Sequence, residues 1–111
     1  MTYTLQPVPE TFFTLPAASE ARAGSVAIFG AVHGTAYLGS IPDLSGISAP
    51  DAVRRAITEA SVHVDHWDFD FDGPLLNDGA LEALDLGDIA TVHDDASANR
   101  KNIEAVTGAA L

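Results

Sequence analysis

A short, unbroken apolar run, Ser25-Val-Ala-Ile-Phe-Gly30, sets the frame for the rest of this chain. It does not alternate with polar residues and it is stopped by glycine, so it reads as a buried strand of a parallel sheet. Ala31 to Ser48 follows as a long loop at the strand's carboxyl end, with glycines at 34, 39 and 46 and proline at 42. Ser48-Ala-Pro50 then opens a helix, with Ser48 as the cap and Pro50 in the first turn. Val53, Ile57 and Ala60 are spaced to form its buried stripe, and the helix is expected to end near Ser61. Val62 to Gly79 reads as irregular, with one short extended piece. Leu81-Glu-Ala-Leu-Asp-Leu86 is the second strand, closed by Gly87-Asp88. Asp94 or Asp95 caps a last helix with Ile103, Val106, Ala110 and Leu111 on one face.

Strand, helix, strand, helix is an α/β pattern with a right-handed crossover. Residues 1–24 form an arm ahead of it. Prolines at 7, 9 and 16 forbid a long helix there, Thr11-Phe-Phe-Thr-Leu-Pro16 reads as an extended, partly buried stretch, and Ala17 to Ala23 as a helical turn or two. Two strands do not make an independently stable parallel sheet, which needs cover on both faces. The last helix pattern also runs into Leu111 with no stop signal. The expectation is therefore the first βαβα part of a larger, three-layer parallel sheet, residues 25–111, incomplete by itself and completed by further sequence or by a second chain.

Charge narrows the partners. Sixteen acidic residues against five basic ones give a formal charge of −11 on 111 residues. That balance argues against nucleic acid, which is bound through Lys and Arg, and against anionic membrane surfaces. No apolar run has the length of a membrane span, and no basic residue precedes an apolar core at the amino terminus, so a cytoplasmic location is the expectation. There is no cysteine, which excludes disulfide scaffolds and thiolate metal sites.

Half of the acids, eight of sixteen, fall between Asp65 and Asp88. Within that stretch, His63-Val-Asp65-His66-Trp-Asp68-Phe-Asp70-Phe-Asp72 carries donors suited to zinc, manganese or nickel. On a strand, Asp68, Asp70 and Asp72 would share one face and Phe69 and Phe71 the other. One reading is a metal site built on His63, His66, Asp68 and Asp70. The other is that the acids cap turns in water while the aromatics pack. His33 lies just after the first strand, where open α/β sheets bind ligands; it is either a substrate contact or a loop histidine packed on Tyr37. Gly30-Ala-Val-His-Gly34 lacks the spacing of a dinucleotide fingerprint, and nothing resembles a nucleophile elbow. Of Arg54 and Arg55 in the first helix, one faces solvent and the other is placed to pair with an acid.

Four segments, in order, resemble the amino-terminal part of the arginase/agmatinase family of ureohydrolases. Thr11-Phe-Phe-Thr-Leu-Pro16 is similar to the opening arm of bacterial agmatinase-like proteins. Val26-Ala-Ile-Phe-Gly30 through Gly34-Thr-Ala-Tyr37 resembles the first strand and its G-T-S-Y loop. Ala49-Pro50-Asp-Ala-Val53-Arg54 resembles the G-P-x-x-I-R helix start. Asp68-Phe-Asp70 with Leu84-Asp85-Leu-Gly87-Asp88 resembles the region leading to the V-D-x-G-D strand end. The resemblance implies a hydrolase acting on the C–N bond of linear amidines. Two manganese or nickel ions would activate a water that attacks a guanidino carbon. The family's ligands, in G-G-D-H, D-A-H-x-D and D-x-D motifs, all lie after the region present here. By the resemblance, then, this segment binds no metal alone and Asp68, Asp70 and Asp72 are not ligands. Asp85, Gly87 and Asp88 would hold the strand end and the loop after it. His33, Thr35 and Tyr37 would line the substrate rim, and trimers or hexamers would be the assembly.

The sequence departs from that pattern in one place. The family's V-P-F-D loop is replaced by Ala31-Val32-His33 running into Gly34, and Leu38 to Ser48 is longer than usual, which opens the choice of guanidino substrate. Two rivals stand beside this reading. One is a small acidic binding or regulatory module, or a non-catalytic partner subunit of a mixed assembly. The other is a metal protein using His63, His66 and the aspartates.

Overall fold

The computed structural model describes residues 5–32, 47–60, 65–76, 79–92 and 95–111. At its centre is a three-stranded sheet in the order β1-β5-β2, formed by Leu5–Gln6 (β1), Val26–Ala31 (β2) and Ala83–Ile89 (β5). Strands β2 and β5 run parallel and are joined through helix α1, Ala49–Glu59, which gives the expected strand–helix–strand unit. The sheet is nevertheless mixed, because β1 pairs antiparallel with β5, Leu5 opposite Ile89 and Gln6 opposite Asp88.

The arm solves part of the two-strand problem. Its prolines rule out a long helix, and its backbone runs along the edge of β5 that β2 does not cover. Thr11 to Pro16 is not extended throughout as expected, because Phe12–Thr14 closes a single 3-10 turn with Phe13 and Thr14 at φ of 52° and 55°. Further along, Asp85 donates its N–H to the Pro16 carbonyl at 3.0 Å and accepts from Ala18 N–H at 3.0 Å. Ala17 is thus bridged to Asp85 in parallel, and the helical turns expected from Ala17 to Ala23 are not formed. As a result β5 is buried along its whole length, and it supplies Ala83, Leu84, Leu86 and Ile89 to the apolar core, with Leu15 and Val106. β2 lies at the sheet's edge. Its apolar run is half-buried rather than buried, and Val26 is exposed.

The second strand does not stop at Gly87-Asp88 but continues to Ile89. Between Ile28 and Gly30 of β2 the partner advances from Asp85 to Asp88, so β5 carries one extra residue there, a bulge. Gly87 sits in it with φ of 82°, and a Cβ at this position would run into the Gln6 carbonyl. The glycine bends the strand where it had been read as ending it.

Both helices start where expected. The Ser48 hydroxyl accepts the Asp51 N–H at 3.2 Å, and the Asp95 carboxylate accepts the Ala98 N–H at 3.0 Å at the start of α2, Ala96–Ala110. The buried face of α1 differs from the expected stripe: Val53 and Ala60 are exposed, while Pro50, Arg54, Ile57 and Thr58 face inward. On α2, Val106 is buried and Ile103 and Ala110 half-buried, but Leu111 is fully exposed. The carboxamide of buried Asn99 docks this helix, accepting from Val92 N–H at 2.8 Å and donating to its carbonyl at 2.9 Å.

Between α1 and β5, Trp67–Asp68 (β3) and Gly73–Pro74 (β4) form a separate two-stranded hairpin. No helix among the described residues is long and apolar enough to cross a membrane.

Candidate functional site

One cluster of charge is buried. Arg54 is i+4 from Pro50 on the inward face of α1, which carries its guanidinium over β5. Nε donates to Asp85 Oδ2 at 2.9 Å and Nη2 to Asp85 Oδ1 at 3.0 Å, a two-pronged pairing. Nη2 also donates to the Gly87 carbonyl at 3.2 Å, and Nη1 to Asp88 Oδ1 at 2.6 Å and Asp51 Oδ1 at 3.4 Å. These five bonds use all five guanidinium donors. Asp85 is equally committed. Besides the two Arg54 contacts its carboxylate accepts the Phe12 N–H at 2.8 Å and the Gly87 N–H at 2.9 Å. Four bonds fill its lone pairs. The side chains of Asp85, Arg54 and Asp88 are 0%, 4% and 12% exposed.

Gly30 makes this arrangement possible from the other side. A Cβ there would collide with the Asp88 carboxylate and come within 2.7 Å of Pro50 Cβ. The bare backbone lets β2, the start of α1 and Asp88 approach one another.

The electrostatics follow from this geometry. Burial alone would push the Asp85 carboxyl up. The Arg54 guanidinium and the amides of Phe12 and Gly87 outweigh that and hold it below the ordinary aspartate range. Burial alone would likewise lower Arg54, and the two carboxylates raise it instead. The cluster joins three separate parts of the chain: the arm at Phe12, helix α1, and strand β5.

Of the residues singled out from sequence, the structure brings Asp85, Gly87 and Asp88 together around Arg54. His33, Thr35, Tyr37 and His63 lie outside the described residues. Asp68 does not share a strand face with Asp70 and Asp72. β3 ends at Asp68, whose Oδ1 accepts the Asp70 N–H at 2.9 Å and the Phe71 N–H at 3.1 Å, and Asp72 turns the chain with φ of 55°. Asp65 accepts the Leu76 N–H at 2.6 Å. The carboxylates of Asp65 and Asp68 therefore hold backbone amides of the hairpin. The aromatics beside them do not pack: Trp67, Phe69 and Phe71 are 52%, 90% and 73% exposed.

Among the described residues no three His, Asp or Glu side chains are gathered to hold a metal ion, and the buried carboxylates of Asp85 and Asp88 are bonded to Arg54. What sequence reasoning missed was which arginine and which acids would meet. The available signal was Arg54's place four residues after Pro50 and three before Ile57, on one helical face. Beside the cluster, Phe12, Ile28, Phe29, Gly30, Pro50 and Val53 line an open apolar depression of about 360 Å³ at the carboxyl end of β2.

Comparison of the chain with protein-family models, with curated proteins and with solved structures gives no match in any of the three.

Proposed function

We propose that this chain is the amino-terminal part, or a subunit piece, of a binuclear-metal ureohydrolase of the agmatinase or guanidinase type. The intact enzyme would hydrolyse a guanidino C–N bond and release urea or a related product. The ordered set of four resembling segments carries the reading. In its support, three of them meet in one cluster: Phe12 from the arm, Arg54 from the helix start, and Asp85, Gly87 and Asp88 from the strand end.

In this reading the chain contributes scaffold and rim rather than catalysis. Two divalent metals, manganese or nickel, would be held by residues outside this chain and would supply the activated water. The buried cluster fixes β5 to α1 beside Gly30, near the carboxyl end of β2, where open α/β sheets place ligands. His33, Thr35 and Tyr37 would border the substrate there, and the assembly would be a homo- or hetero-oligomer.

The test is urea release by the full gene product over a panel of guanidino compounds with manganese or nickel added. Hydrolysis of one member is expected, and failure on all of them with both metals would overturn the reading. A second reading, a non-catalytic acidic binding module or partner subunit, is favoured by the exposure of Trp67, Phe69 and Phe71. It predicts no urea release under any of these conditions.

A further inference from the structure

We propose that the β3–β4 hairpin is a docking surface for an arginine-rich segment of a partner protein. The inference does not depend on the ureohydrolase reading.

The hairpin is built to hold apolar side chains away from the core. Asp68 captures the next two free amides, of Asp70 and Phe71, and Asp72 adopts a left-handed conformation. That turn cannot continue the strand, so Phe69 and Phe71 project from its tip, 90% and 73% exposed, with Trp67 at 52% and Leu75 at 39% on its flanks. Single exposed apolar residues are common. Three aromatics and a leucine exposed on one short hairpin are a concentration of apolar surface of the kind that marks an interaction site. Asp65 and the β3–β4 pairing fix the base of the hairpin, so the patch is presented on an ordered frame.

Charge selects the occupant. Asp65, Asp68, Asp70 and Asp72 alternate with the aromatics along the hairpin, and no Lys or Arg occurs between Arg55 and Arg100. A second copy of this chain would bring the same carboxylates against them. It would bring sixteen acids against five cations, of which Arg54 is buried and Arg22 is paired with Glu82, leaving Arg55, Arg100 and Lys101. Nucleic acid and anionic lipid are repelled. A guanidinium satisfies both halves of the patch: its flat face stacks on an aromatic ring while its donors meet a carboxylate. An ammonium does the second well and the first less well.

Trp67 is the chain's one tryptophan, so its emission reads occupancy of the patch directly. The full chain is titrated at low salt with Arg-Gly, Lys-Gly and Glu-Gly repeat peptides. The expected result is a saturable emission change with Arg-Gly, severalfold weaker binding of Lys-Gly, and none of Glu-Gly. Replacing both rings, Phe69→Ser with Phe71→Ser, is expected to weaken Arg-Gly binding about tenfold, two cation–π contacts of roughly 0.5–1 kcal/mol each. Asp70→Asn with Asp72→Asn is expected to weaken binding and flatten its salt dependence. Circular dichroism checks that the variants keep the fold; if the ring variant does not, the selectivity of the unaltered chain among the three peptides decides. The proposal is overturned by the absence of a saturable change with Arg-Gly. It is equally overturned by equal binding of Arg-Gly and Lys-Gly that the ring substitutions leave untouched, which would be general charge attraction. Sedimentation showing a dimer abolished by those substitutions would assign the patch to a second copy and overturn it too.

Discussion

Arg54 commits every donor it has to groups of its own chain, and that sets what a change there does. Arg54→Met leaves Asp85 and Asp88 buried without a counter-ion, and removing one partner of such a pair costs about 3–5 kcal/mol. Arg54→Lys keeps the charge but not the fork, so it is expected to lose about 1.5–3 kcal/mol. Urea midpoints of the two variants against the unaltered chain check both figures and their order. Asp85 adds a pH dependence. Its carboxyl titrates below the ordinary aspartate value of 3.8 in the folded chain, so at low pH the unfolded chain binds the proton first. The stability it contributes is fully present above that ordinary value and is lost as pH falls through the folded one. Asp85→Asn should therefore give a flatter loss of stability on acidification, read from urea midpoints between neutral pH and the acid limb. The sequence placed Asp85 and Asp88 at a structural strand end and set one of two arginines against an acid. It did not tell which arginine, because the partners lie 31 and 34 residues away, and a helical stripe is read from apolar residues.

At the scale of elements, the helix starts were legible because capping is local: Ser48 and Asp95 each reach an amide three residues on. The end of β5 was not. A glycine inside a strand and a glycine after one look the same in sequence, and only the approach of Gln6 distinguishes them. That approach gives a direct test. Gly87→Ala puts a Cβ against the Gln6 carbonyl at a φ that L side chains rarely adopt, with an expected cost of about 1–3 kcal/mol. The loss should show first as faster hydrogen exchange in β1 and at its partner Ile89, together with loosening of the Gly87 and Asp88 side of the Arg54 cluster. The third strand was hidden for a related reason: prolines at 7, 9 and 16 exclude a helix but do not say what the extended chain will pair with. One of the two readings of the hairpin had its aromatics pack. They do not, because the turn made by Asp68 and Asp72 is too tight to bring them back to the sheet.

The described residues share a small core. The fully buried apolar side chains among the described residues are Leu15, Ala83, Leu84, Leu86, Ile89 and Val106. Calorimetry of the chain alone is expected to show a broad transition with an enthalpy below about 0.7 kcal/mol per residue. A sharp transition at or above that value would mean that the chain is self-sufficient, which favours the binding-module reading over the ureohydrolase one.

The Arg54 cluster also works as a proofreader of alignment. In a sheet, slipping a strand by one residue turns each side chain to the opposite face. Were β5 to pair with β2 one residue out of step, Asp85 would leave the guanidinium and an apolar neighbour would take its place. That arrangement keeps most backbone hydrogen bonds and much of the apolar contact, so those forces alone discriminate weakly against it. An arginine enclosed without its carboxylates does not tolerate it. The same bonds that join arm, helix and strand therefore also reject the near-miss pairings that a short, glycine-interrupted strand would otherwise permit.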